Sequence, residues 1–111
     1  METIARLIEL KPGSMEKVQA WAAFINTHRD NAMASLKAEG VAAESWFSLS
    51  LEGKEYLLCY MRADSMEGSE QVAARSDNPV DVVHQQFKMD TWVRGAGAVG
   101  KLLVDLSESH G

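Results

Sequence analysis

Two polar side chains lie where the spacing of apolar residues predicts the inward side of a helix. Arg29 falls at the centre of the apolar stripe of segment 14–39, and His84 holds the same kind of position in segment 79–93. A guanidinium or an imidazole that faces a core must be paired, or must line a cleft. These two side chains are therefore the first candidates for chemistry.

A carboxylate and several aromatic side chains can complete such a cleft. Glu44 and Trp46 share one face of a predicted strand. In a cleft between helices and sheet, Arg29 would hold an anionic or carbonyl group, while His84 and Glu44 would act as general acid and base. The candidate residues are His84 and Glu44 for catalysis, and Arg29, Tyr60, Trp46 and Trp92 for binding a small organic ligand.

The same residues also have simpler roles. Arg29 can form a structural ion pair with a carboxylate from another element, Glu44 first and Asp90 second. His84 can make a hydrogen bond inside the core, and the aromatic side chains can simply fill it. The protein would then be a non-catalytic dimerisation or interaction module. A cavity beside Arg29 and His84 distinguishes the two functions.

The glycine-rich segment 95–100 matches the G-x-G-x-x-G pattern of dinucleotide-binding loops, but its context is reversed. It follows a predicted helix and precedes a predicted strand, whereas that site requires a strand before the glycines and a helix after them. We interpret residues 95–100 as a flexible connector rather than a nucleotide site.

Metal and thiol chemistry have little support in the sequence. His28, His84 and His110 are widely separated, and Cys59 is the only cysteine. We therefore expect no metal and no cofactor. Cys59 lies in the apolar run 56–61, which predicts a buried and unreactive thiol.

Charge and composition limit the classes of molecule that the protein is expected to bind. The chain of 111 residues has a formal net charge of -5 and no run of Lys or Arg, which argues against nucleic acid and anionic membranes as partners. The single cysteine and the lack of a signal-like or membrane-spanning segment favour a cytoplasmic location.

Turn residues divide the chain into strands and helices. Predicted strands cover 3–10, 41–51, 55–63 and 101–106, one long helix covers 14–39, and shorter helices cover 64–76 and 79–93. The order β-α-β-β-α-β, with the second helical region split in two, predicts an α+β ferredoxin-like fold with a four-stranded antiparallel sheet. We expect one domain over 1–111, with a frayed tail at 107–111.

The predicted sheet has apolar residues on both of its faces. Helices that all lie on one side can cover only one face, and an uncovered apolar face favours self-association. The sequence therefore predicts a homodimer through the open face of the sheet.

With these residues placed, the chain resembles an uncharacterised domain-of-unknown-function family in the dimeric α/β-barrel superfamily. The resemblance rests on five short stretches that span nearly the whole chain: residues 9–13, Arg29, 44–47, 60–63, and 79–84 together with Thr91 and Trp92. It implies a ferredoxin-like protomer whose sheet packs against that of a second copy to close a barrel. That superfamily includes cofactor-free monooxygenases, sugar mutarotases, haem-degrading enzymes and proteins of no known activity, so the resemblance selects no reaction.

Overall fold

The computed structural model of the protein describes residues 1–106, which form four strands and four helices. The strands are β1 (Glu2–Leu10), β2 (Val41–Leu51), β3 (Lys54–Ala63) and β4 (Trp92–Val99). The helices are α1 (Met15–Thr27), α2 (Arg29–Ala38), α3 (Met66–Arg75) and α4 (Pro79–Thr91). No helix in this part of the chain is both long enough and apolar enough to cross a membrane.

The four strands form one sheet in the order β2-β3-β1-β4, and all neighbours are antiparallel. This confirms the predicted α+β class and the four-stranded antiparallel sheet. The exact β-α-β-β-α-β order is not found, because each helical connection contains two helices. The split of the second connection matches the prediction, whereas the single long helix predicted for 14–39 is wrong.

The first connection breaks at His28. This residue has a ψ of 40°, outside the helical range, and its ring Nδ1 lies 2.9 Å from the carbonyl oxygen of Phe24. The ring also stacks on the side chain of Phe24 at 4.2 Å between centroids. A side chain that bonds to the helical carbonyl ladder is a recognised cause of kinks. Because neither Pro nor Gly marks the position, the sequence pattern did not reveal it.

The glycine-rich segment is itself the last strand. Residues of β4 pair with β1, with Ala98 opposite Leu7 and Gly97 opposite Ile8. Gly97 has a φ of 106°, and a Cβ atom there would lie 2.1 Å from the carbonyl oxygen of Leu7. Only glycine permits this approach of two backbones.

The predictions for the end of the chain are therefore wrong in two places. Residues 95–100 do not form a connector, since the strand runs to Val99, and residues 101–106 have no regular structure. Glycine is depleted in strands, and for this reason the last strand was predicted after the glycines, at 101–106, rather than across them. The frayed tail predicted at 107–111 lies outside the described residues.

The hydrophobic core lies between one face of the sheet and the helices. Leu57, 1% exposed, is its most buried large apolar residue. The other buried members of the cluster are Ile8, Leu10 and Cys59 of the sheet, Val18 and Trp21 of α1, and Phe87 of α4. Since strand side chains alternate between faces, the sheet contributes every second residue to this core.

Local signals start the last two helices near the predicted positions: α4 begins at Pro79 as predicted, and α3 begins at Met66, two residues after the predicted start at 64. The Ser65 hydroxyl accepts a hydrogen bond from the Gly68 amide at the start of α3. The Asn78 side chain caps α4 in the same way, accepting from the Val80 amide at 3.0 Å, and Pro79 occupies the first helical position. These caps set the register in which α4 presents its side chains to the sheet.

Candidate functional site

A cavity of about 790 Å³, partly open to solvent, lies between the helices and the core-facing side of the sheet. Five of the six side chains predicted from the sequence line it: Arg29, Glu44, Trp46, His84 and Trp92. This volume is in the range of small-molecule sites in proteins. The sheet forms its floor, and α1, α2, α3 and α4 form its walls.

Tyr60 is not part of this cavity. It lies opposite Ala5 in β1 and Ser45 in β2, so its side chain belongs to the other face of the sheet. The core-facing positions of β3 next to it are Cys59 and Met61, both of which line the cavity. The alternation of β3 thus separates Tyr60 from the other candidates.

Arg29 is exposed, at the first residue of α2 and at the rim of the cavity. Within residues 1–106 it forms no ion pair, so the predicted pairing with Glu44 or Asp90 is wrong. Asp90 instead accepts a hydrogen bond from the Gln86 side chain at 2.9 Å. The prediction assumed one continuous helix, and the kink at His28 interrupts the stripe on which it depended.

His84 lies among aromatic rings. Its imidazole is 5.5 Å from the rings of both Trp21 and Trp46, measured between centroids, and 6.4 Å from that of Trp92. Burial, followed by the positive charge of Lys88, lowers the pKa of His84 to about 3. The ring is therefore neutral at physiological pH. It offers one N–H donor and one acceptor, but it is a poor proton acceptor near pH 7.

The pKa of Glu44 is shifted in the opposite direction to that of His84. Burial raises its pKa above the ordinary value, and the nearby charge of Asp81 adds to this. The positive charge of Lys88 and a hydrogen bond from the Trp46 side chain partly oppose the increase. A carboxyl group whose pKa moves toward neutrality carries a proton more effectively at physiological pH.

The sequence analysis missed a second group of polar side chains in the cavity wall. The Ser35 hydroxyl of α2 lies 2.5 Å from Asp81 Oδ1 of α4 and 3.1 Å from Glu39 Oε2. A hydroxyl carries only one hydrogen, so both bonds form together only if one carboxyl group is protonated. Burial, and next the charge of Asp81, raise the pKa of Glu39 to about 7. When Glu39 is protonated it can donate to Ser35, which then donates to Asp81; when Glu39 is ionised, the Ser35 hydroxyl can donate to only one of the two carboxylates at a time.

Lys88 was also missed, although its spacing indicates it. It follows His84 by four residues on α4, the separation that places two side chains on one helix face. Lys88 Nζ lies 5.0 Å from the ring centroid of Trp92, and the Arg6 guanidinium carbon lies 5.7 Å from the same centroid. Burial lowers the pKa of Lys88, and the charge of Arg6 lowers it further.

Cys59 forms part of the cavity floor and is buried. Burial, followed by the charge of Glu44, raises the pKa of its thiol to about 12. The predicted burial is confirmed, and a protonated thiol is a weak nucleophile. Its low reactivity stays a prediction.

Two indole N–H groups of the cavity wall, those of Trp21 and Trp92, are buried without a hydrogen-bond acceptor in residues 1–106. Buried donors of this kind are uncommon. Within the same part of the chain, no group of three or more His, Cys, Asp or Glu side chains is placed to hold a metal ion. The cavity thus presents aromatic walls, a neutral imidazole and carboxyl groups whose pKa values are raised.

The family comparison agrees with the part of the resemblance that concerns a family of unknown function. A family described only as being of unknown function, DUF6176, matches residues 1–109. No curated protein shows a significant match to the chain. The match covers nearly the whole chain and the described cavity, and the protein is therefore a member of this family of unknown function.

Proposed function

We propose that the protein binds a small organic molecule in the cavity between its helices and its sheet, and that Glu44 and His84 act on the bound molecule. The observation that carries this proposal is the cavity of about 790 Å³, which is lined by Glu44 and Trp46 from β2 and by His84 from α4. Side chains required only for packing would be expected to leave no such space. Arg29, at the rim, would contact a ligand as it enters.

The perturbed pKa values of Glu44 and His84 give the two side chains different roles. Glu44, with its raised pKa, takes up or releases the proton. His84 is neutral, so it donates or accepts a hydrogen bond that orients the ligand or polarises a carbonyl group. The chemistry supported in this way is proton transfer next to a carbonyl or a hydroxyl group.

The three tryptophans allow a direct test, because Trp21, Trp46 and Trp92 all line the cavity and the chain has no others. Their indole N–H signals in a ¹H–¹⁵N spectrum therefore report on this site. We would titrate the protein with a library of small carbonyl and hydroxyl compounds. A saturable shift of these signals supports the proposal, and a library that shifts none of them refutes it.

A second function is favoured by the opposite face of the sheet. Phe47 and Leu51 on β2 are 54% and 47% exposed, and Leu58 and Tyr60 of β3 are half-buried beside them. We propose that a second copy of the chain covers this face, as in the ferredoxin-like dimeric α/β barrels that the sequence resembles.

Sedimentation equilibrium at micromolar concentration tests the dimer. The wild type should sediment with twice the mass of the chain, and Phe47→Glu should sediment as a monomer because it places a charge on the apolar face. The matched control is Glu16→Gln, on exposed helical surface, which should remain dimeric. A monomeric wild type would refute the dimer without affecting the cavity proposal.

A further inference from the structure

One end of the cavity concentrates positive charge around a single aromatic ring. Lys88 Nζ and the Arg6 guanidinium both lie within 6 Å of the ring centroid of Trp92, at 5.0 Å and 5.7 Å. All three side chains line the cavity. Contacts of a cation with an aromatic face are favourable, but they do not neutralise its charge.

Neither cation forms an ion pair with a carboxylate of the described residues. The ion pairs found within residues 1–106 join Lys54 to Glu9 and Arg62 to Asp105, and neither includes Arg6 or Lys88. Glu44 and Glu70 are close enough to influence Lys88 electrostatically, yet neither reaches ion-pair distance.

Lys88 is half-buried and Arg6 is exposed. Two like charges this close repel each other, and an anion between them relieves that repulsion. The indole N–H of Trp92 beside them is buried and lacks an acceptor in the described part of the chain.

Another part of the cavity wall carries carboxyl groups. There Glu39 and Asp81 lie on either side of the Ser35 hydroxyl, on the wall formed by α2 and α4. The aromatic rings of Trp21 and Trp46 also line the cavity, with His84 in contact with both. A ligand that matches this lining has an anionic group, an apolar body and a further polar group.

We propose that Arg6 and Lys88 bind the carboxylate of a small organic acid, whose apolar or aromatic body lies against Trp21 and Trp46. This inference rests on the proposed function and specifies the chemical class of its ligand. The carboxylate accepts hydrogen bonds from the guanidinium and the ammonium group. The bound acid then presents its other end to His84 and Glu44.

The test compares phenylacetate with phenylacetamide, which have the same ring and nearly the same shape but differ in charge. Neither contains an indole, so quenching of tryptophan fluorescence and shifts of the three indole N–H signals measure the binding of both. We expect phenylacetate to bind about tenfold more tightly at low salt, because a charge-assisted hydrogen bond is stronger than a neutral one. The preference should shrink between about 20 and 500 mM KCl, since salt screens the two cations.

Three variants assign the preference to these residues. Lys88→Gln and Arg6→Gln should each bring the two affinities to within about twofold, whereas Lys88→Arg should keep the preference because it keeps the charge. Lys37→Gln is the control, since it removes one positive charge from an exposed position on α2. Thermal unfolding of each variant shows that it is folded before its binding is interpreted.

The outcomes separate the two proposals. If both probes bind with equal affinity, the anion site is overturned and the cavity remains a binding site for neutral molecules. If phenylacetate is preferred equally by the wild type, Lys88→Gln and Arg6→Gln, the assignment to these cations is overturned. If neither probe nor any compound in the carbonyl and hydroxyl library moves the indole signals, the proposed function fails together with this inference.

Discussion

Replacing Glu39 by Gln should make the protein more stable above pH 7 and leave its stability unchanged near pH 4.5. Glutamine has the shape of a protonated glutamate, and its amide N–H can donate to the Ser35 hydroxyl as the protonated carboxyl does. The substitution therefore keeps the hydrogen bonds to Ser35 and Asp81. It removes only the cost of ionising the buried acid.

The magnitude follows from the two pKa values of Glu39. The folded value is about 7 and the ordinary value is 4.5, so between these pH values the folded state binds more protons than the unfolded state. Stability from this group is present below pH 4.5 and is lost as the pH rises to 7. A fully dry site would lose about 3 kcal/mol. The carboxyl retains some solvent contact, so we expect about 1–2 kcal/mol.

Urea unfolding of the wild type and Glu39→Gln at pH 4.5, 6 and 8 measures this difference. The free energy of unfolding of the variant should exceed that of the wild type by an amount that grows with pH. Glu16→Gln, at an exposed position of α1, should stay within about 0.5 kcal/mol of the wild type at every pH. A constant difference for Glu39→Gln across the three pH values, or a loss of stability at pH 8, would refute the raised pKa of Glu39.

Three further predictions concern other parts of the molecule. His84 has a folded pKa of about 3 against 6.5 when unfolded, so its contribution to stability is complete above pH 6.5 and falls by about 2 kcal/mol at pH 5; urea unfolding of His84→Gln should lack this loss, and an unchanged pH profile would contradict it. Gly97→Ala should cost about 3 kcal/mol or more because its Cβ meets the Leu7 carbonyl, whereas Gly95→Ala, also at positive φ but with open space around it, should cost about 1 kcal/mol. Equal melting temperatures of these two variants would argue against the close approach. Iodoacetamide at pH 8 should modify Cys59 slowly in the native protein and rapidly in urea, because burial raises its pKa to about 12; similar rates in both conditions would show an accessible thiol.

Much of the candidate site could be predicted from helical periodicity. The inward position of His84 on α4 follows from the apolar residues one turn before and after it, and its cap at Asn78 is a local signal that the structure confirms. Lys88 was within reach of the same reasoning, since it lies one turn beyond His84. Strand alternation places Tyr60 on the face of β3 away from the site. This could be predicted only if it were known that Cys59 and Met61 face the core.

The remaining features of the site depend on contacts between distant segments. Ser35 and Asp81 are 46 residues apart and meet only because α2 packs against α4. Burial, and next the charge of Asp81, raise the pKa of Glu39, and no local pattern in the sequence encodes either cause. Likewise, Arg6 and Lys88 come to the same indole ring from β1 and α4.

Local signals in the sequence were sufficient for the α+β class, the hairpin of β2 and β3, and the approximate starts of α3 and α4, because turns and caps involve residues within a few positions of each other. The kink at His28 and the glycine strand β4 were decided by tertiary structure. At the break between α1 and α2, the Phe24 carbonyl lies within hydrogen-bond distance of both the His28 ring and the His28 amide. In β4, the close approach to β1 requires glycine at position 97. Both override intrinsic propensity, since the free energy of packing exceeds the small preference of single residues for helix or strand.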